Sequence, residues 1–254
     1  MQSQTLVALA TQGAKVAGWT AQAGQLLNEI LSDLCDNYDF ELARQTFNFN
    51  FNPGLLTPIG NLNTIAGNGP YPLPAGYLRA KRGDVMWFLL GVPYPLIPVD
   101  IEEFDVMVEQ AGNQSYPYLW ATDVSQIGAP VAYVWPPASG AFPCMVRFYS
   151  RMPDIGSGSP AVNGWNPGSA APEASSVVPW FPNAGYLRKE LTARLRDLAD
   201  DPEAEAKLRA AEDMLRKYLI LKDDSSNRAK TIKLDPRRFR RAFSALRNTK
   251  QVGW

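Results

Sequence analysis

The hydrophobic period of the first fifty residues changes once, from that of helices to that of a strand. Apolar residues recur at helical spacing over 4–17 and more strongly over 21–38, with Thr20 in position to cap the second segment. Residues 44–52 then alternate phenylalanine with polar side chains. The pattern predicts two helices followed by a half-buried aromatic strand.

The middle of the chain is rich in proline, glycine and asparagine, which predicts short elements joined by loops. Asp100 is placed to cap a short helix over about 101–110. Two aromatic segments, 131–137 and 143–152, each have the composition of a strand, and the residues between them can form a turn. This part of the sequence therefore predicts a short helix and a β-hairpin.

Helical spacing returns in the last third of the chain. Asn183 is expected to begin a helix that runs to about residue 199. Asp201, followed by a proline, is expected to begin a second helix that runs to about residue 221, where the polar residues 223–227 end it. The two segments predict an αα-hairpin.

Together these elements predict a mainly α chain with β inserts, of the α+β class. A helical-bundle core would carry a β-hairpin and extended-loop insertion and an extended C-terminal tail. The predicted division places a helical body with one aromatic strand at 1–52 and 183–222. The Pro/Gly-rich insert takes 53–182, and a basic docking tail takes 223–254.

The charge of the chain is divided between an acidic body and a basic tail. The total is zero, with 25 Lys and Arg against 25 Asp and Glu. Residues 228–254 hold nine of the basic residues and one acid, a net charge of +8. The preceding 227 residues hold the other 16 basic and 24 acidic residues, a net charge of −8. Such an asymmetry indicates a charged partner for the tail.

The tail has the sequence features of a docking segment. From Asp235 onwards, apolar residues at helical spacing form one narrow stripe that is surrounded by arginines. The preceding residues 230–234 alternate polar and apolar, like a strand that can add to the edge of another sheet. The candidate partner-binding residues are Ile232, Leu234, Arg237, Arg238, Phe239, Arg240, Arg241, Phe243, Leu246, Arg247 and Trp254.

Three kinds of partner suit a basic amphipathic segment: nucleic-acid phosphates, an anionic membrane, or an acidic groove on a protein. A DNA-binding protein normally carries positive charge on its folded body, whereas this body is acidic and would repel phosphate beyond the tail. Docking to a protein is therefore the favoured interpretation, with nucleic acid next and a membrane last.

The composition argues against an enzyme. The chain has no histidine, which excludes Ser-His-Asp and Cys-His catalysis and histidine-ligated zinc. Cys35 and Cys144 are too far apart in sequence for a CxxC motif, and Cys35 lies on an apolar helical stripe that predicts a buried side chain. The acidic clusters fall at predicted helix ends, where they suit capping. We expect no enzyme activity, no cofactor, no metal, no secretory signal and no membrane span.

Several sequence segments resemble those of one protein family. The segments "LLNEILSDLCDNYDF" and "YPLPAGYLRAK" are similar to the N-terminal half of the head-to-tail adaptor proteins of short-tailed bacteriophages. These proteins are also called tail accessory or packaged-DNA stabilisation factors. The later segments "MVRFYSRMPDI" and "WFPNAGYLRKELTARL" are similar to the second half of those proteins. The resemblance covers most of residues 20–222.

The resemblance implies a structural virion protein at the head–tail junction, made in the host cytoplasm. It implies a ring, typically of twelve copies, that binds beneath the portal protein, helps to retain packaged DNA and receives the tail nozzle, knob or fibres. The C-terminal segment, from Lys230 to Trp254, would dock on the portal. The loops around 55–98 and 153–180 would form tail-side or intersubunit surfaces.

Three other functions stay open from the sequence. The basic C-terminal arm suits a nucleic-acid-binding protein, with packaged DNA as a possible partner. The chain also suits another tail component or a fibre-attachment component of a virion. A peptidoglycan-cleaving enzyme that uses a pair of carboxylates is the third, but no sequence motif supports it.

Overall fold

The computed structural model of the protein describes residues 1–54, 67–81, 83–108, 113–125 and 129–230, with 107–108 and 222–230 described by their backbone alone. In this part of the chain there are five α-helices and nine strands. The helices are α1 (Ser3–Ala14), α2 (Thr20–Asn37), α3 (Ile101–Val108), α4 (Ala184–Leu198) and α5 (Ala204–Lys230). The strands are β1 (Arg44–Asn50), β2 (Tyr71–Pro72), β3 (Tyr77–Arg79), β4 (Val85–Leu89), β5 (Val92–Pro95), β6 (Ile97–Pro98), β7 (Leu119–Asp123), β8 (Val131–Trp135) and β9 (Pro143–Ser150).

The first sheet is built around β9, which is paired along both of its edges. β1 lies along one edge, β3 and β4 lie one after the other along the opposite edge, and β5 flanks β4. All of these pairs are antiparallel. The sheet is therefore held together by one strand whose partners lie far from it in sequence.

The second sheet has the order β2-β8-β7-β6, and only its β6–β7 pair is parallel among the described strands. One of its faces packs on the first sheet, because Trp120 and Val134 share a hydrophobic cluster with Val85 and Val146. The other face packs on α3 through the buried ring of Phe104. The second sheet is thus covered on both faces.

The prediction of a mainly helical chain with a helical-bundle core was wrong. The described residues form a mixed α+β fold, and two of the three hydrophobic clusters are built largely from strand residues. Seven of the nine strands have only two to five residues, and many are bounded by proline or glycine. Segments this short have no hydrophobic period that separates a strand from a loop.

The predicted β-hairpin was also wrong, although both of its segments are strands. β8 pairs with β7 and β2, whereas β9 pairs with β1, β3 and β4 in the other sheet. The connection between them does not turn back on itself. Instead, the amide of Ala138 donates to the carbonyl of Gly67 (3.0 Å) and that of Ser139 donates to Ser115 (3.0 Å). The connection therefore passes from the second sheet to the first, and these hydrogen bonds fix its path.

Four helices, α1, α2, α4 and α5, pack around the third hydrophobic cluster. Leu187, Leu191 and Leu195 of α4 are fully buried there, as their spacing predicts, whereas Leu198 at the end of the helix is 56% exposed. Aromatic rings complete the cluster, with the ring of Phe181 meeting the rings of Phe40 at 5.2 Å and Tyr218 at 5.4 Å, both edge to face. Cys35 is 1% exposed in the same cluster, which confirms its prediction as a small buried side chain.

The helices predicted from periodicity are confirmed to within a few residues, except at one end. The Asn183 side chain accepts from the amide of Tyr186 (3.0 Å), which confirms the predicted cap of α4. Thr20 is the first residue of α2 and makes no capping bond, so that cap was wrong. The predicted end of the last helix at 223–227 was wrong as well, because α5 runs through to Lys230. The division into body, insert and tail stays a prediction.

Ion pairs connect the end of α2 to the first sheet. The Arg79 guanidinium donates to Asp39 (2.8 Å) and to the α2 carbonyls of Asp36 (2.9 Å) and Cys35 (3.2 Å). Lys81 also pairs with Asp39 (2.8 Å). The C-terminal carbonyls of α2 that have no partner within the helix therefore receive a cation, which also compensates the negative end of the helix dipole.

This junction generates a prediction for the pH dependence of stability. Partial burial acts to raise the pKa of Asp39, but the hydrogen bonds from Lys81 and Arg79 outweigh it, and the pKa lies below its ordinary value of 3.8. A carboxyl with a lowered pKa stabilises the fold above its unfolded-state pKa and loses that effect as pH falls through the folded-state pKa. We expect Asp39→Asn to lower the free energy of unfolding at pH 7, and the difference from wild type to shrink below about pH 4. Urea unfolding at a series of pH values measures it, and a difference that does not change with pH would contradict it.

The strand register generates a second prediction. Thr46 faces Arg147, both side chains are exposed, and the amide of Arg147 donates to Asp84 on the other edge of β9. The two residues therefore form a non-hydrogen-bonded pair, whose short Cα–Cα distance suits a disulfide. We expect a Thr46→Cys, Arg147→Cys variant to cross-link on mild oxidation, as read by mass spectrometry after proteolysis. A shifted control, Asn48→Cys with Arg147→Cys, should cross-link far less, and equal cross-linking of the two would contradict the register.

Candidate interaction surfaces

A two-residue turn joins β4 to β5 and presents one leucine to solvent. Leu90 and Gly91 have φ values of 50° and 82°. A type I′ turn requires a positive φ at both of its central residues, and these two meet that requirement. Leucine is disfavoured at positive φ because of its Cβ, and the Leu90 side chain is 97% exposed. Residues that break local preferences and expose apolar surface mark contacts with a partner more often than folding requirements.

An aromatic layer supports this hairpin. Trp87 is 2% exposed, and its ring stacks on Tyr94 (centroids 4.8 Å apart) and on Tyr116 (5.6 Å). Phe142 packs against Trp87 at 4.8 Å, and the Trp87 indole N–H donates to the carbonyl of Pro117 (2.9 Å). Tyr94 and Tyr116 are about half exposed. The hairpin surface, which we define as Leu90, Val92, Tyr94 and Tyr116, thus combines a rigid base with exposed aromatic and apolar groups, a composition typical of interfaces.

The outer edge of β5 is closed to a further strand. The amide of Leu96 donates to Val85 (2.9 Å), so alternate residues of this strand, including Tyr94, direct their backbone groups to β4. Pro93 and Pro95 therefore face outwards and offer no N–H. A partner that binds this surface has to do so through side chains.

The opposite edge of the sheet is open. The amide of Phe51 donates to Phe142 (2.9 Å), so odd-numbered residues of β1 face β9 and the backbone groups of Thr46, Asn48 and Asn50 face outwards. Asn163 covers only the start of this edge, where its amide donates to the carbonyl of Arg44 (2.9 Å). Within the described residues, the rest of the β1 edge has no strand beside it.

The loop over 153–180 is held against the helices. The amide of Ser3 donates to Val177 (2.8 Å), and Asn28 exchanges two hydrogen bonds with the backbone of Ile155 (3.0 and 3.1 Å). Ile155 and Trp180 are buried in the helical cluster. The loop therefore forms a fixed wall of this cluster.

α5 leads from the helical cluster to the basic tail. With 27 residues it is about 40 Å long at 1.5 Å per residue. Leu215 is buried, whereas Ile220 and Leu221 are 54% and 70% exposed. The end of the described helix thus carries exposed apolar side chains. The predicted docking residues between Ile232 and Trp254 lie outside the described residues, and their role stays a prediction.

The buried titratable groups of the fold serve structure. Burial raises the pKa of the Cys35 thiol to about 11 and also raises that of Cys144, so both thiols are protonated at neutral pH. Burial raises the pKa of Tyr71 to about 12, and its hydroxyl donates to the carbonyl of Gly67 (2.8 Å). Among the described residues, no cluster of three or more acidic or cysteine side chains is arranged to hold a metal. None of the described helices has the length and apolar character to cross a bilayer.

Nearly the whole chain matches one protein family. The model of the SU10 adaptor protein family matches residues 2–232. The chain belongs to the SU10 adaptor protein family. A search of curated proteins found no match. Membership confirms the resemblance to phage head-to-tail adaptors and makes the protein a virion component.

Membership of the SU10 adaptor family bears on the partners of this protein and on the predicted docking residues of its tail. Membership of this family implies interaction with the portal and tail components of a phage. The match includes Ile232 but ends before the other predicted docking residues. The docking role of the tail therefore rests on its charge and spacing and not on the family match.

Sequence reasoning missed the hairpin surface. The apolar run "VMWFLLGVPYPLIPV", residues 85–99, bears only on the expectation that no segment spans a membrane, because it is short and holds three prolines. The sequence signal for the hairpin surface was the Leu-Gly pair between two strand-like segments, followed by prolines at alternate positions. The contribution of Tyr116, which comes from a distant loop, had no signal in the local sequence.

The hairpin turn generates a third prediction. Leu90→Asn replaces an exposed leucine at positive φ by the residue that type I′ turns favour. We expect the free energy of unfolding of the isolated chain to stay the same or rise by up to about 1 kcal/mol. In contrast, we expect assembly of the adaptor with its virion partners to weaken. Chemical denaturation and co-sedimentation measure the two effects. Lower stability together with normal assembly would contradict a role in binding.

Proposed function

We propose that this adaptor forms a ring, of twelve copies, that connects the portal to the tail and helps to retain packaged DNA. The family match over residues 2–232 carries the proposal. The protein would act mechanically, without a catalytic site or cofactor, and its partners would be the portal, neighbouring copies and the tail nozzle, knob or fibre proteins.

The chain has the surfaces that a ring requires. A ring of identical copies uses heterologous contacts, in which one surface of a copy meets a different surface of the next. The hairpin surface and the open edge of β1 belong to opposite edges of the first sheet, and both are uncovered in the described part of the chain. Two distinct binding surfaces on one rigid sheet support the ring.

The basic tail suits docking on the portal. Residues 228–254 of the tail carry a net charge of +8 and an apolar stripe that includes Phe239, Phe243 and Leu246. The apolar residues would fill pockets on the portal while arginines pair with acidic side chains around them. Twelve such tails on one ring would bind far more tightly than a single tail, because each later contact is intramolecular.

The arginines of the tail also suit a second function, the binding of nucleic acid. The net charge of the tail favours nucleic acid as an alternative partner, especially if the tail faces the DNA channel. In that case, DNA affinity would fall steeply with salt, because each neutralised phosphate releases a counterion. A contact between tail and portal would depend on the apolar stripe as well.

Truncation at the end of α5 tests the docking role. We expect deletion of residues 231–254 to leave circular dichroism and thermal unfolding of the body unchanged and to abolish binding to the portal. Two full-length variants separate the contributions: Phe239→Ser with Phe243→Ser removes the stripe, and Arg240→Gln with Arg241→Gln lowers the charge.

The outcome of the truncation assigns the partner. If the truncated protein binds the portal as tightly as the full chain, the docking role is wrong. If the arginine variant loses DNA affinity but keeps portal binding, and the stripe variant changes neither, the nucleic-acid alternative is correct for the tail. Pull-down with purified portal and fluorescence anisotropy with duplex DNA are the measurements.

A further inference from the structure

A groove with basic walls lies where three helices meet. Its volume is about 520 Å³, and it is bounded by α1, α4 and α5. Leu9 of α1 and Ala210 of α5 contribute apolar surface. The basic lining residues are Arg188 and Lys189 of α4, Lys207 of α5 and, at one end, Arg196. A volume of this size accommodates a few side chains of a partner.

Three of the groove cations have no partner. Arg188, Lys189 and Lys207 are exposed, and within the described residues none of them makes an ion pair. By contrast, Arg194, on the side of α4 that faces α2, pairs with Asp33 (2.7 Å) and Glu190 (3.0 Å). The groove is therefore a locally positive surface on a body whose net charge is −8.

Arg196 fixes the end of the groove. Its guanidinium donates to the carbonyl of Gly13 at the end of α1 (2.9 Å) and to Glu203 at the start of α5 (2.9 Å), and it contacts Asp201 at 3.3 Å. The two carboxylates outweigh the single positive charge of Arg196 at this end of the groove, so that the free positive charge is that of Arg188, Lys189 and Lys207. Because Arg196 bonds to both neighbouring helices, it holds the groove open at a set width.

An acidic surface of the same chain complements this groove. On α3, Glu102, Glu103 and Asp105 are exposed and make no ion pair within the described part of the chain. Val106 is 62% exposed beside them, while Phe104 is 2% exposed and anchors the helix on the second sheet. α3 therefore presents three carboxylates and one apolar side chain from a fixed base.

We propose that the groove of one copy binds the acidic face of α3 of the neighbouring copy in the ring. This inference rests on the proposed ring function. The groove belongs to the helical cluster and α3 to the second sheet, so the contact is heterologous, as a ring requires. Residues 1–227 of each copy carry −8, so a contact between two bodies is favoured where a positive surface of one faces a negative surface of the next.

The alternative occupants fit less well. Duplex DNA would need a broad positive surface, whereas the groove holds only a few side chains and is surrounded by an acidic body. Leu9 and Ala210 give the groove an apolar part that Val106 matches and a phosphate does not. The neighbouring copy supplies both the charge and the apolar group.

Charge reversal and its compensation test the contact. Arg188→Glu with Lys189→Glu reverses the groove, and Glu102→Lys with Glu103→Lys reverses α3. We expect each pair to raise the concentration for half-assembly by about tenfold or more, whether assembly is followed alone or on the portal. A chain that carries all four substitutions should recover assembly, because reversed groove and reversed helix attract again. Native mass spectrometry and sedimentation velocity measure the assembly.

Control variants separate a loss of the groove contact from a general effect of charge or of misfolding. Arg216→Glu with Lys217→Glu makes the same charge change at two exposed positions of α5 that form no ion pair with any described residue and do not line the groove, and it should leave assembly unchanged. If a reversed chain does not fold by circular dichroism, Arg188→Gln with Lys189→Gln and Glu102→Gln with Glu103→Gln replace the reversals, and each should still weaken assembly.

The outcomes distinguish failure of the contact between the groove and α3 from failure of the proposed ring. If wild type forms a ring and both reversals leave it intact, the contact is wrong and the proposed function stands. If each reversal weakens the ring but their combination does not restore it, the two surfaces do not meet and the contact is wrong. If groove reversal spares the ring but lowers affinity for DNA or portal, that partner occupies the groove instead. If wild type forms no ring, alone or on the portal, the proposed function fails and this contact with it.

Discussion

The pairing of β9 along both of its edges is the constraint on which the rest of the structure depends. β9 places β1 on one side and β3 and β4 on the other. Its continuation buries Met152 and Ile155 in the helical cluster. One strand therefore sets the position of the hairpin surface, the open edge of β1 and the helices relative to one another. The hairpin surface and the open edge of β1 therefore have a fixed separation, because both belong to the sheet that this strand holds together.

The sequence was sufficient for the helices but not for the sheets. α2 and α4 were predicted to within one or two residues, because a stripe of leucines at helical spacing is a strong local signal. β8 and β9 were recognised as strands but joined to each other, since nothing local shows that Phe49 will face Cys144 across the sheet. Sheet pairing between distant segments is decided by tertiary packing, which local sequence does not contain.

The same limit applies to the binding surfaces. The basic tail was visible as a run of charge, but its docking role rests on sequence features alone. The groove was not visible, because Leu9, Arg188 and Lys207 come together only when three helices pack. The charge count did contain one useful clue. In the proposed ring, a body with a net charge of −8 would contact copies of itself most favourably through a local positive surface, and the groove is such a surface.

In the proposed function, surface complementarity between copies and many weak tails on one ring drive the assembly of the adaptor on the portal. The most direct test is the native mass of the complex that forms when purified adaptor is mixed with the portal ring. The account predicts a single species with twelve adaptor copies, and cryo-electron microscopy should show them as one ring beneath the portal. A distribution of partly filled portals at saturating adaptor concentration, or no complex, would contradict it.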